Sequence, residues 1–154
     1  MQIANGNLGK VVAIRFEPGE DIFKSLIEVC KKESLNNGMI LGGIGSLANV
    51  VYCNPVKKEE EKSGYGYGAP IITKGAIELT SMSGMICHDE KGGVLTHIHA
   101  NFSDENGDAY GGHILEGNMV LKTVDVIIAE IKGIDMGRRF DDYLNAFIFN
   151  PSQK

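Results

Sequence analysis

Three of the four histidines of this 154-residue chain stand in one stretch, Leu95-Thr96-His97-Ile98-His99-Ala100-Asn101-Phe102, followed after a turn by Gly111-Gly112-His113-Ile114-Leu115-Glu116-Gly117. On a β-strand, residues two apart project to the same side about 6.5–7 Å from each other, so His97 and His99 can converge on one ion while Thr96, Ile98 and Ala100 face a core. Whether His113 joins them depends on the turn, because a one-residue slip moves every side chain of the returning strand to the other face. A two-residue primed turn at Asn106-Gly107 would set His113 opposite Ala100, on the wrong face. A three-residue loop, Glu105-Asn106-Gly107 with Gly107 left-handed, sets His113 opposite His99, and this is the preferred register. A bulge at Gly111-Gly112 could rescue the first. Three neutral imidazoles on a rigid sheet form a zinc-type ligand set with a fourth position open to water or substrate. The plainer reading is a polar face or subunit contact that happens to hold His97 and His99. His88 lies apart and reads as a surface residue.

Other residues with chemical potential carry less. Gly42-Gly43-Ile44-Gly45-Ser46 lacks the Lys-Ser/Thr ending of a phosphate loop, and a tight turn packed near a subunit interface is the expectation. Ser81 and Ser83 lie in no nucleophile elbow and have no assignable acid–base partner, so no catalytic residue is placed. Arg138-Arg139 could form a small anion site, but Asp141-Asp142 beside it argues for local charge balance.

The elements that must position the histidines are mostly strands. Lys10–Phe16 is β-branched and apolar and stops at Glu17-Pro18-Gly19. Ile22, Phe23, Leu26, Ile27 and Cys30 then recur at helical spacing, predicting one amphipathic helix capped near Glu20 or Asp21 and ending around Asn36-Asn37-Gly38. Strands are expected at 50–53, 76–82, 85–87, 94–102, 109–116, 120–131 and 146–149, the run Val124–Ala129 having the apolar density of a central strand. The charged and Gly/Tyr-rich segment 57–68 reads as a solvated hairpin or mobile loop. The expectation is therefore an α/β (α+β) fold, mostly antiparallel sheet with one long helix after the first strand, in a single domain spanning 1–154.

Composition limits the partners. Twenty acidic against fifteen basic side chains give a formal charge of -5, which repels a phosphate backbone unless basic residues gather on one face. No apolar run approaches the ~20 residues of a membrane span, and the N-terminus lacks a basic segment followed by an apolar one, so a cytoplasmic address without membrane contact is expected. Cys30, Cys53 and Cys87, odd in number and without a C-x-x-C pair, predict reduced, buried thiols rather than a disulfide framework.

The segments Arg15-Phe16-Glu17-Pro18-Gly19-Glu20-Asp21, Leu41-Gly42-Gly43-Ile44-Gly45-Ser46-Leu47, Glu78-Leu79-Thr80-Ser81-Met82-Ser83-Gly84 and His97-x-His99 through Gly111-Gly112-His113-x-x-Glu116-Gly117 follow the order found in the plant-and-prokaryote conserved (PPC) domain, which the chain resembles over nearly its whole length. The resemblance implies an α/β fold built around antiparallel sheet, a homotrimer, and a metal, zinc or another divalent transition ion, on His97, His99 and His113. Glu116 and Arg15 also match the family pattern. In the preferred register Glu116 points away from the histidines and suits a subunit or loop contact, and Arg15 suits a pairing across subunits. Plant members carry AT-hooks and bind DNA, which makes a DNA-associated or regulatory interaction module the alternative function. This chain has no Arg-Gly-Arg-Pro-like hook: its arginines are Arg15, Arg138 and Arg139.

Overall fold

The computed structural model describes residues 1–154 as a mostly antiparallel β fold with one helix after the first strand, as expected. In chain order the elements are β1 (Asn7–Phe16), α1 (Ile22–Lys32), β2 (Gly38–Cys53), β3 (Pro55–Lys57), β4 (Tyr65–Tyr67), β5 (Ile71–His88), β6 (Val94–Ser103), β7 (Ala109–Ile114), β8 (Val120–Lys132), β9 (Ile134–Asp141) and β10 (Ala146–Gln153). Eight strands form one sheet in the order β1-β8-β2-β7-β6-β5-β9-β10, and β2 also bonds to β5, closing β2, β7, β6 and β5 into a ring. The short β3–β4 hairpin stands apart from it.

The helix starts where Asp21 caps it: its Oδ1 accepts from the N–H of Phe23 (3.0 Å) and Lys24 (3.4 Å). Ile22, Leu26 and Cys30 recur every fourth residue and are buried in the core cluster, so one face of the helix covers the sheet. The helix ends at Lys32, before the expected stop around Asn36-Asn37-Gly38. Ser34 adopts a left-handed φ of 55°, its N–H donates to the Lys31 carbonyl (3.1 Å), and the Leu35 N–H donates to that of Cys30 (2.8 Å). This is the double-bonded left-handed stop usually built on glycine, and here a serine occupies the position.

Two other expectations need correction. Residues 42–46 form no turn: they run inside β2, hydrogen-bonded to β8 on one side (Gly43↔Val126) and, through Gly45↔Leu79 and Ser46↔Glu78, to β5 on the other. Register shifts between Ile40/Gly42 and Gly45/Leu47 absorb the irregular backbone without breaking the strand. Likewise β5 continues through Gly84 as a single strand, and β9, which the charged sequence conceals, pairs with β10.

The side chains of Ile98, Ala100, Phe102, Ile114, Leu79 and Val50 pack in the core enclosed by the ring. On the outward side of β1, β8 and β2, Leu41, Ile44 and Ile127 remain exposed around a shallow cleft of about 800 Å³, and Val11 on β1 is exposed as well. Cys30, Cys53 and Cys87 are all free and buried, as expected, and no helix is long and apolar enough to cross a membrane.

Candidate metal centre

The hairpin between β6 and β7 takes the three-residue form. Asp104 and Asp108 close it (Asp104 N–H to the Asp108 carbonyl, 3.1 Å), the Gly107 N–H donates to the Asp104 carbonyl (3.0 Å), and Gly107 sits at φ 85°, a conformation that favours glycine. The Asp104 carboxylate tightens the turn by accepting from the N–H groups of Asn106 (2.9 Å) and Asp108 (3.1 Å). The resulting register pairs His99 with His113 and Asn101 with Gly111. At Gly111 a Cβ would lie 2.3 Å from the Ala100 carbonyl oxygen, so only a glycine lets β7 lie this close to β6.

The opposite face confirms the alternation. Thr96, Ile98 and Ala100 are buried, so His97 and His99 stand on the outer side of the sheet. Across that side runs a row of directly paired residues, Ser83 on β5, His99 on β6, His113 on β7 and Cys53 on β2. A second row sets Met39 and Met85 beside His97. The three imidazoles converge: their ligating nitrogens all lie within 4.8 Å of one another, and Nε2 of His97 is 3.2 Å from Nε2 of His99. His97 and His113 are half-buried and His99 is exposed.

Burial, with the charges of His99 and Arg138 adding to it, holds His97 below the ordinary histidine range. For His113 burial again leads, with His97, His99 and Arg138 following, and the value is pushed down to about 4. Both rings are therefore neutral at pH 7, with lone pairs available for coordination. The donor set fits a divalent transition ion. Two bonds of about 2.05 Å meeting across a 3.2 Å gap subtend about 103°, near the tetrahedral value. Nδ1 of His113 is also buried without any hydrogen-bond partner, so no protein group fixes the tautomer of this ring. Cys53, opposite His113, is not among the converging donors, and burial pushes its thiol up and keeps it protonated.

The Plants and Prokaryotes Conserved (PCC) domain model matches residues 3–132. The chain belongs to this family. Among solved structures, this PPC chain is similar to a PPC protein from Pyrococcus horikoshii, with 29% identity, 96% of each chain covered and a TM-score of 0.78. A metal-containing protein from Archaeoglobus fulgidus shares the fold at 21% identity, covering 97% of this chain and 99% of its own, with a TM-score of 0.81. So does a candidate DNA-binding protein from Bacteroides thetaiotaomicron at 18% identity, covering 94% and 96%, with a TM-score of 0.74. Curated relatives are the bifunctional protein GlmU of two Synechococcus strains, 24% and 25% identical over 121 residues; the chain spans 17% of their length.

The remaining residues singled out in this PPC domain fall elsewhere. Glu116 turns away from the histidines to Lys24 on α1 (3.3 Å), the loop contact its register suggests. Arg15 pairs with Asp125, its cross-strand neighbour on β8 (3.5 Å). Ser81 Oγ accepts from the Asn101 side-chain amide (2.9 Å). His88 is not the free surface residue expected: it is half-buried, its Nε2 3.1 Å from Asp135 Oδ1 and its Nδ1 2.9 Å from the Asp89 carbonyl, because β9 packs against the end of β5.

Three supports of the centre escape sequence reading. Tyr67, at the root of the supposedly solvated 57–68 segment, sets its ring 5.0 Å from that of His113, and the alternation Tyr65-Gly66-Tyr67 was the available signal for a strand there. Asn118 is fully buried and accepts from the Val51 N–H (2.9 Å) while donating to the carbonyls of Val51 and Leu115, which continues the ladder between β2 and the segment after His113. Asp21 joins the helix to the same segment by accepting from the Gly117 N–H (2.8 Å).

Proposed function

We propose that residues 1–154 form a single, homotrimeric PPC domain that binds one divalent transition ion, of the zinc type, per protomer through His97, His99 and His113. The observation that carries this reading is the convergence of three imidazole nitrogens on one side of the sheet, two of them 3.2 Å apart. An open coordination position beside an exposed His99 would let the ion polarise a bound water or ligand. The structural relative from Archaeoglobus fulgidus, itself metal-containing, supports the same reading. The exposed Val11, Leu41, Ile44 and Ile127 supply an apolar face of the kind that subunit contacts cover, which supports the trimer. Three free thiols, with Cys30 and Cys87 pushed up to about 11 by burial, suit a reducing cytoplasm.

The test is metal content per protomer after purification without a polyhistidine tag. One equivalent, lost in His97→Ala and His113→Ala, is expected; near-zero content in the parent protein overturns the reading. X-ray absorption at the metal edge then separates zinc from other ions.

A second reading, a DNA-associated or regulatory interaction module without enzymatic activity, is favoured by the similarity to candidate DNA-binding proteins from Bacteroides thetaiotaomicron and Ralstonia eutropha. The formal charge of -5 opposes it. It predicts retardation of duplex DNA that weakens as salt rises, and no retardation at low salt removes it.

A further inference from the structure

Arg138 is not balanced by the neighbouring acids. Asp141 Oδ1 instead accepts from the N–H groups of Tyr143 (3.1 Å) and Leu144 (3.0 Å), capping the β9–β10 turn. Arg138 takes part in none of the chain's ion pairs. Its one fixed partner is the Phe147 carbonyl, to which Nη2 donates, and the other donors of the guanidinium are left without protein acceptors. Arg139, the next residue along the strand, is exposed, whereas Arg138 is half-buried. A half-buried cation without a counter-ion is costly to hold unless something else pairs with it.

Arg138 lines a cleft of about 440 Å³ together with Asp89, Glu90, Lys91, Leu95 and Phe147. Leu95 precedes His97 by two residues on β6 and shares its face, about 6.5–7 Å away, so the cleft opens beside the histidines. The Arg138 charge reaches His97, His113 and Cys87, which agrees with that placement. Asp89 does not serve as the missing partner. Its Oδ1 accepts from the N–H groups of Lys91 and Gly93, both at 2.8 Å, and is taken up by its own turn. The cleft's two acids offset its two bases, and Leu95 and the exposed Phe147 ring give it apolar walls. A monoanion with an apolar body suits these walls better than a dianionic phosphate does.

We propose that this cleft binds a small organic carboxylate, held by the Arg138 guanidinium, with its apolar part along Leu95 and Phe147 and its far end directed at the histidine centre. Only that last contact rests on the metal reading. The probe is benzoate, titrated into 15N-labelled full-length protein in metal-free and zinc-loaded forms, against matched sodium chloride and against inorganic phosphate.

Saturable binding that shifts the Leu95, Gly137 and Phe147 amides is expected, weakened at least about tenfold by Arg138→Gln and unchanged by Arg139→Gln. Because Arg138 also holds the Phe147 carbonyl, Leu95→Trp provides a second variant that fills the cleft while leaving that hydrogen bond in place and should produce the same loss. Failure to saturate, equal effects of the two arginine variants, full binding by Leu95→Trp, or occupation by phosphate in place of benzoate overturns the proposal. Benzoate binding by protein that takes up no zinc leaves the carboxylate site standing and removes the metal reading. Zinc binding without benzoate binding does the reverse.

Discussion

Replacing Asn118 by Leu tests whether the segment after His113 is held by the side-chain ladder or by the core alone. The asparagine is fully buried and its amide serves the Val51 N–H, the Val51 carbonyl and the Leu115 carbonyl. The Val51 carbonyl keeps a second donor in the variant, the Leu115 N–H at 2.9 Å, so two backbone groups lose their partner: the Val51 N–H and the Leu115 carbonyl. At ~1–3 kcal/mol for each buried group left unpaired, the loss is about 2–6 kcal/mol, and the part-buried setting of these bonds places the expectation near ~3 kcal/mol. For a chain of 154 residues, where 1 kcal/mol moves the melting temperature by roughly 2–4 °C, this is a fall of roughly 6–12 °C. Urea unfolding at fixed protomer concentration measures it, since assembly would otherwise shift the midpoint. Asn118→Asp should be at least as damaging, because it turns a donor that faces two carbonyls into an acceptor. The Leu variant should also bind zinc more weakly, as Val51 lies two residues before Cys53, the cross-strand partner of His113. A loss under ~1 kcal/mol with zinc affinity unchanged would refute the ladder argument.

The other expectations concern the centre and its hairpin. Zinc at a free concentration a hundredfold above its dissociation constant should stabilise the protein by about 2.7 kcal/mol, a rise of roughly 5–11 °C seen by calorimetry and absent in His113→Ala. In the metal-free protein, stability should fall as the pH drops from 6.5 towards about 4: in that window an unfolded imidazole binds a proton at its ordinary value, whereas the folded His113, pushed down to about 4, does not. Urea midpoints across this range should flatten in part in His113→Gln, the remaining slope belonging to His97, which burial also holds down. Gly111→Ala and Gly107→Ala should separate packing from turn conformation. The first drives a Cβ to 2.3 Å from the Ala100 carbonyl oxygen and should abolish metal uptake by pushing β7 off β6; the second meets nothing within 4 Å and should cost only ~1–2 kcal/mol with uptake retained, as metal analysis and urea unfolding would show.

Much of this arrangement is legible in the sequence because local rules govern it. His97 and His99 share a face by the two-residue period of any strand, and the third imidazole follows once Glu105-Asn106-Gly107 is recognised as a loop with glycine in its left-handed position. What stays hidden depends on contacts distant in sequence. The helix stops at Ser34 rather than at a glycine, because Leu35 is drawn into the core and pulls the chain out of the helix. Gly42–Ser46 resembles a turn until β5 and β8 supply partners on both sides. His88 meets Asp135 through one parallel pairing, His88 with Gly137, between segments almost fifty residues apart, and no local pattern announces it.

The centre and the core occupy opposite faces of the same strands, and this separates the chemistry of the site from the stability of the fold. Along β6, Ile98, Ala100 and Phe102 hold the interior while His97 and His99 project away from it, so the imidazoles can change without opening a cavity. Precision at the outer face is then set by the backbone: β7 lies between β6 and β2, pressed close by Gly111 and tied by Asn118, which leaves His113 little freedom relative to its neighbours. Such a site tolerates substitution of its ligands far better than substitution of its glycines. Ligand exchange on the outer face is thus the route by which this sheet could acquire a different chemistry while keeping its fold.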